Sequence, residues 1–147
     1  MRRKIFKDDL KIAEGEENDN IEIIKEILGI EELKKDANRF SVYDFKTDNC
    51  FVEFRRRYCK LDTYKTTMIP RSKINFSNKT TKPCWIFIKF EDYITQWKVP
   101  KNLHPHYKGG GRNDRGVDEY KYNKKYYYLD TDELDIYEVV NEEDNTN

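Results

Sequence analysis

The chain has 147 residues and a mass of 17.9 kDa, the size of one domain that buries a core and folds alone. Its longest apolar run, Trp85 to Ile88, is far shorter than the roughly 20 residues of a membrane span, and its first residues lack the apolar segment of a signal peptide. We therefore expect a soluble intracellular protein, cytoplasmic or nuclear, with a single domain over residues 1–138 and an acidic disordered tail at 139–147.

Charge is unevenly distributed along the chain although the formal net charge is zero. Nine basic residues lie between Arg55 and Lys82 against the single acid Asp62, whereas the segment from Asp130 to the end has eight acids and no base. A basic centre between acidic ends predicts either a phosphate-binding face or a solvated surface whose charges balance.

The first regular element is an amphipathic helix. Gly29 suits its C-terminal cap, and three apolar residues before that glycine recur at helical spacing. The helix starts either at a capping box of Asp19 and Glu22 or earlier, which would put Glu17 on the apolar face. The three apolar residues of this first helix are Ile21, Ile24 and Leu28. A second short helix is predicted over residues 30–37.

Two runs, FSVYDF and CFVEFRRR, predict a β-hairpin because they are rich in β-branched and aromatic residues and flank the turn sequence TDN. If Asp48 and Asn49 form a two-residue loop, Asp44 pairs directly with Glu53. Opposed residues share a face of the hairpin, so we expect one apolar face packed on the helix and one polar face. The apolar face comprises Tyr43, Phe45, Val52 and Phe54, and the polar face Asp44, Glu53, Arg55 and Arg57.

The pairing of Asp44 with Glu53 requires compensation. Carboxylates about 5 Å apart repel by on the order of 3 kcal/mol at an effective dielectric near 20. A bound Mg²⁺ or Mn²⁺ would turn this repulsion into coordination. A surface salt network with Arg55 or Arg57 would also relieve it, and spacing alone favours that network because such networks are common.

The segment after the hairpin is basic and rich in hydroxyl groups, which suits a track for nucleic-acid phosphates. The alternative is a solvated connecting loop anchored by Tyr64 and Met68. Within this segment IPRSKINF predicts a short helix with Lys73 facing the site. The track comprises Arg57, Lys60, Tyr64, Lys65, Thr66, Thr67, Arg71 and Lys73.

Further strands are predicted in CWIFIKF and DYITQWKV, which extend the same sheet. The loop HPHYKGGGRNDRG is long for a compact domain, so we expect it to be functional, with Arg112 and Arg115 as phosphate contacts. The run from Tyr126 to Tyr128 is either a base-stacking platform or a partly buried strand, and packing favours the strand. A short acidic helix is predicted in LDTDELDIYEVV.

Neither the cysteines nor the histidines predict a metal centre. Cys50, Cys59 and Cys84 form no CxxC pair, which favours free buried thiols over a disulfide framework or a zinc site. His104 and His106 are separated by a proline and lack partner ligands, which favours a surface position.

An acid ending one strand, followed across a hairpin by a Glu-x-Lys-like triplet, resembles the restriction-endonuclease-like, or PD-(D/E)XK, nuclease superfamily. Asp44 and the triplet EFR at 53–55 carry this resemblance. The ordered series YDF, VEFRRR, YKTTMIPRSK, IFIKFED and GGRNDRG is similar to small nuclease-like proteins of phages and large DNA viruses, over residues 15–138. The resemblance implies an α+β fold with a central mixed β-sheet and an N-terminal helix packed on one face.

The resemblance further implies metal-dependent hydrolysis of phosphodiester bonds in DNA, with RNA as the alternative substrate and no membrane partner. Asp44 and Glu53 would hold Mg²⁺ or Mn²⁺, with Glu17 as a further ligand from the helix. The implied nucleic-acid contacts are Arg57, Tyr64, Thr66, Thr67, Lys73, Arg112 and Arg115.

Arg55 departs from the family pattern, which has a lysine at that place. Its guanidinium stabilises charge but is effectively never deprotonated. The change implies either a weakened nuclease or a catalytically inactive, nuclease-derived nucleic-acid-binding or virion-associated protein. Under the first alternative, Arg55→Lys is expected to raise the cleavage rate.

Overall fold

The β-branched and aromatic runs assemble mainly into one seven-stranded sheet in the computed structural model. The structure describes the backbone of residues 2–6, 16–38, 40–109 and 125–140. It describes the side chains of residues 20–38, 40–109 and 125–138. The strand order is β1-β9-β7-β6-β4-β3-β2, and β5 and β8 form a separate two-stranded sheet. The strands are β1 (Arg2–Phe6), β2 (Lys34–Lys35), β3 (Phe45–Lys46), β4 (Phe51–Arg56), β5 (Thr66–Pro70), β6 (Cys84–Lys89), β7 (Ile94–Lys98), β8 (Tyr126–Asp130) and β9 (Asp135–Val140), and the helices are α1 (Glu16–Leu28) and α2 (Arg71–Lys79).

The large sheet is mixed. Strand β4 runs parallel to β6 and β1 runs parallel to β9, while the other neighbouring strands are antiparallel. One face is covered by helix α1, whose Ile23 and Ile24 pack with Val52 and Phe87. This arrangement confirms the predicted α+β fold with its N-terminal helix on one face. Neither of the two helices described is long and apolar enough to cross a membrane.

The predicted hairpin register is confirmed. Phe45 pairs with Val52, and the Thr47 N–H donates to the Cys50 carbonyl at 2.9 Å. The Thr47 hydroxyl closes the turn, because it accepts from the backbone N–H groups of Asn49 and Cys50, each at 3.0 Å. The pairing of the two strands ends at Phe45 and Val52, and the next residue on each side is joined by the Asp44 N–H, which donates to the Glu53 Oε1 at 3.3 Å.

The prediction that Tyr43 lies on the face covered by α1 is wrong. Strand β3 begins only at Phe45, so the alternation of faces does not extend back to Tyr43. The Tyr43 ring is buried on the other side of the sheet, with centroids 6.1 Å from Phe51 and 5.4 Å from Phe76 of α2. The sheet thus has an apolar cluster on both faces, because β4 is an interior strand.

Three segments adopt other structures than the pattern predicted. The helix expected over 30–37 is wrong, since Lys34–Lys35 pair with β3 as an edge strand. The acidic helix expected near the end is also wrong, since β9 lies between β1 and β7 and its Ile136 and Tyr137 pack inward. The hydroxyl-rich segment forms strand β5, which pairs with β8. Strand β9 runs to Val140, and the predicted tail beyond it lies outside the described residues.

Candidate active site

Strand β4 places Glu53 on the face of the sheet opposite Val52, because successive side chains of a strand alternate. Glu53 is only 6% exposed. Its Oε2 lies 3.0 Å from the Lys73 Nζ and 3.3 Å from the Arg55 Nε, while its Oε1 accepts from the Asp44 N–H at 3.3 Å. Two cationic side chains, those of Lys73 and Arg55, and the backbone N–H of Asp44 therefore converge on one buried carboxylate.

The electrostatics of Glu53 follow from this environment. Burial raises the pKa of the Glu53 carboxyl above its ordinary value because the charged form loses its water. The positive charges of Lys73 and Arg55 oppose this rise, and the negative charge of Asp44 adds to it. The direction of the Asp44 effect shows that its negative charge lies close enough to Glu53 to disfavour ionisation of that carboxyl.

Helix α2 fixes Lys73, which is 7% exposed, over the sheet. Pro70 ends strand β5 in an extended conformation and α2 starts at Arg71, so Lys73 lies in its first turn beside the buried Ile74. The Lys73 Nζ donates to the Val42 carbonyl, and the Tyr43 hydroxyl donates to the Lys73 carbonyl at 2.9 Å. Lys73 therefore faces Glu53 and is removed from the solvent-exposed surface, while its predicted contact with nucleic acid stays a prediction.

Asp44 is the exposed member of the site. Its backbone is held at both ends, since its N–H binds Glu53 and its carbonyl accepts from the Asp36 N–H at 2.7 Å. Its carboxylate makes no hydrogen bond or ion pair with any other residue whose side chain is described. A carboxylate held open beside a buried glutamate is suited to take up a ligand from solvent.

The donor set fits a magnesium-like ion. Mg²⁺ needs only one or two carboxylates, since waters and substrate phosphates complete its coordination. Asp44 offers a solvent-facing carboxylate, and among the residues described here the Glu53 Oε1 is engaged only by the long contact to the Asp44 N–H. The described residues contain no cluster of three or more His, Cys, Asp or Glu suited to a metal. Glu17 lies in the first turn of α1, and its side chain is outside the described part of the chain.

Five residues of the predicted phosphate track line two adjoining cavities beside Arg55: Arg57, Lys60, Tyr64, Thr66 and Thr67. Tyr64 and Thr66 are exposed, whereas Thr67 is 2% exposed and its hydroxyl accepts from the Arg57 Nη2 at 3.2 Å. Arg112 and Arg115, the remaining predicted contacts, lie outside the described residues.

The sequence reasoning missed the ion pair between Glu53 and Lys73. The available signal was a glutamate in the middle of the buried run CFVEF, because a buried carboxylate needs a cationic partner. The lysine next to Ile74 on the buried side of α2 was the natural candidate. Tyr126, from the run predicted as either a base-stacking platform or a strand, begins strand β8 and lines the larger cavity.

The comparisons with known proteins agree with this geometry. A family model described as phage putative PDDEXK endonuclease matches residues 19–141, a span that includes Asp44, Glu53 and Lys73. No curated protein and no solved structure matches the chain. The match covers most of the sequence and agrees with the resemblance carried by Asp44 and the EFR triplet. The chain therefore belongs to the family of phage putative PDDEXK endonucleases.

Proposed function

We propose that this protein is a metal-dependent nuclease that hydrolyses phosphodiester bonds in DNA. The observation that supports the proposal is the convergence of exposed Asp44, buried Glu53 and buried Lys73 at one end of the hairpin. Family membership supports the reaction class, since the matching model is that of an endonuclease.

Asp44 and Glu53 would hold the divalent ion, Mg²⁺ or Mn²⁺. When bound, such an ion supplies Lewis acidity toward a phosphoryl oxygen and makes an attacking water more acidic. Asp44 would bind from the solvent side, while the Asp44 N–H keeps Glu53 oriented from the buried side. The long 3.3 Å contact between that N–H and the Glu53 Oε1 leaves this oxygen available as a ligand.

Lys73 would supply the ammonium that the family motif normally carries at the position of Arg55. Its Nζ lies 3.0 Å from the Glu53 Oε2, closer than the Arg55 Nε at 3.3 Å. An ammonium is a compact cation with three donors, which suits it to orient a water and stabilise charge on a phosphate. Arg55, whose side chain is 35% exposed, would bind the phosphate from the solvent side.

Incubation of supercoiled plasmid with the protein tests the proposal. Mg²⁺ or Mn²⁺ should allow nicking, and EDTA should abolish it. Asp44→Asn should remove the activity, whereas Asp48→Asn, a matched change at an exposed position in the same hairpin turn, should retain it. A labelled RNA in parallel tests whether DNA is the preferred substrate.

Three outcomes would contradict the proposal: strong cleavage without divalent metal, cleavage unchanged by Asp44→Asn, or no cleavage by the folded wild-type protein. The last of these, combined with salt-sensitive DNA binding, would support the alternative of a catalytically inactive nucleic-acid-binding protein.

A further inference from the structure

A basic cleft opens beside the site at the carboxyl end of β4. The larger of its two cavities measures about 260 Å³ and is lined by three consecutive arginines, with Thr67 and Tyr126 on the facing strands. The smaller cavity measures about 40 Å³, shares Arg57 and Thr67 with the larger one, and reaches Tyr64. The two cavities adjoin at these shared residues, and we call them together the path; it begins at Arg55, the partner of Glu53.

The charge of this path is of one sign. Among the residues that the structure describes, no aspartate or glutamate lines either cavity. A third cavity, of about 970 Å³, differs because Glu31 and Asp36 line it together with Lys34 and Lys46. The path beside the site is therefore suited to an anionic ligand, and the third cavity is not.

One arginine of the path is held by a hydrogen bond. The Arg57 Nη2 donates to the Thr67 hydroxyl at 3.2 Å, and the Arg56 guanidinium lies 5.3 Å from the centroid of the Tyr58 ring. The Arg55 Nε faces Glu53, and its terminal nitrogens make no contact with other described side chains. The Arg57 guanidinium therefore loses less entropy than a free side chain when it binds phosphate, and the terminal nitrogens of Arg55 are available to donate to it.

An exposed aromatic ring lies on the same path. Tyr64 is 68% exposed and lines the smaller cavity together with Arg57 and Lys60. Proteins that bind single strands combine basic residues with aromatic rings on which unpaired bases stack. The bases of an intact duplex are already paired and stacked, so they cannot cover this ring.

The larger cavity is small. At about 260 Å³ it lies below the roughly 300 Å³ at which pockets for drug-sized ligands begin, so it suits a group no larger than about one nucleotide. Thr67, which is 2% exposed, is one of its lining residues.

We propose that the nucleotides next to the scissile bond, where the nucleic acid passes from the candidate active site into the path, are bound as an unpaired strand. Arg55 and Arg57 contact its phosphates, Tyr64 stacks on a base, and the substrate class is single-stranded nucleic acid or a duplex with an unpaired segment at the scissile bond. This inference rests on the proposed function for the position of the scissile bond, but the binding mode is measurable without cleavage.

Fluorescence anisotropy in EDTA, with the full chain carrying Asp44→Asn, tests the proposal. The probes are a labelled DNA strand of about 12 nucleotides, a blunt hairpin duplex of the same sequence, and the corresponding RNA strand. The DNA strand should bind at least about ten-fold more tightly than the duplex, because stacking contributes roughly 1–3 kcal/mol per base. An RNA strand that binds more tightly than the duplex also supports the single-strand class.

Variants locate the binding site. Tyr64→Ala should weaken binding of the single strand about ten-fold and leave duplex binding within about two-fold, while Tyr64→Phe keeps the ring and the affinity. Arg57→Gln should weaken binding to every probe. Lys34→Gln, the same loss of charge at the mixed-charge cavity, should have no effect.

Equal affinity for strand and duplex, or full single-strand affinity in both Tyr64→Ala and Arg57→Gln, would overturn the inference. These results are independent of turnover. A single-strand preference without cleavage by the wild type would refute the nuclease proposal alone, and cleavage without that preference would refute this inference alone.

Discussion

At the scale of single residues, the site is built around a carboxylate that the fold removes from water. Glu53 is buried and Lys73 is the cation nearest to it, so each compensates the desolvation of the other. Such a pair contributes little net stability, but loss of one partner leaves an uncompensated buried charge.

Lys73→Met should therefore destabilise the metal-free protein strongly. The expected loss is about 3 kcal/mol at neutral pH, because Glu53 would remain buried without its ammonium. Urea unfolding measures the loss, and Lys79→Met, an exposed lysine in the last turn of the same helix, should change stability by no more than about 0.5 kcal/mol. Equal effects of the two substitutions would contradict the buried ion pair.

The raised pKa of Glu53 also predicts how stability depends on pH. The native state keeps the proton of Glu53 at pH values where the unfolded chain, with its ordinary pKa of 4.5, has released it. The contribution of Glu53 is thus fully present below pH 4.5 and is lost as the pH rises through the higher pKa of the folded state. In metal-free protein, urea unfolding at a series of pH values should show the wild type losing stability relative to Glu53→Gln over this window. Parallel curves would contradict the prediction.

At the scale of elements, the hairpin turn sets the register that opposes Asp44 and Glu53. The Thr47 hydroxyl accepts from two backbone N–H groups of this turn. Thr47→Val removes that acceptor and should cost about 1 kcal/mol of unfolding free energy, whereas Thr47→Ser should keep most of it. Thermal unfolding of the two variants provides the measurement, and equal stabilities would show that the hydroxyl does not hold the turn.

The end of helix α1 gives a second prediction for an element. Gly29 has φ 67°, and the N–H groups of Gly29 and Ile30 bind the carbonyls of Glu26 and Lys25 in a Schellman motif. An added Cβ would meet no atom within 4 Å, so the cost of Gly29→Ala is conformational alone, roughly 1–2 kcal/mol. Gly29→Asn should cost less, since asparagine tolerates this region, and chemical denaturation distinguishes the two.

The hairpin and the helix could be predicted because their signals are local. The turn sequence TDN predicts the pairing of Phe45 with Val52. The helical spacing of apolar residues, followed by Gly29, predicts the end of α1. The positions of Tyr43 and of β9 could not be predicted, because they depend on which strands are interior to the sheet. Likewise, the contact of Lys73 with Glu53 joins segments that are 20 residues apart and depends on how α2 crosses the sheet.

At the scale of the whole molecule, charge separates along the chain although the net charge is zero. The basic residues from Arg55 to Lys82 include those of the site and of the adjoining cleft. Nucleic-acid binding should therefore depend on salt, with log K falling against log salt at a slope of about −2 if three cations neutralise phosphates of a single strand. Anisotropy titrations at several salt concentrations measure the slope, and a slope near zero would contradict electrostatic binding at this surface.

We propose that Lys73 of helix α2 supplies the ammonium group that the family motif places on strand β4. In this chain Arg55 occupies the place of the motif's lysine. Sequence alone predicts that Arg55→Lys raises the cleavage rate. The structure predicts little gain, because the Lys73 Nζ already lies 3.0 Å from Glu53.

The direct test is the single-turnover cleavage rate of a labelled DNA under saturating Mg²⁺ for the wild type, Lys73→Met and Arg55→Lys, at a temperature where all three are folded. We predict that Lys73→Met lowers the rate by about 100-fold or more while DNA affinity stays within a few-fold, and that Arg55→Lys stays within a few-fold of the wild type. An unchanged rate in Lys73→Met together with a rise of about ten-fold or more in Arg55→Lys would contradict the claim.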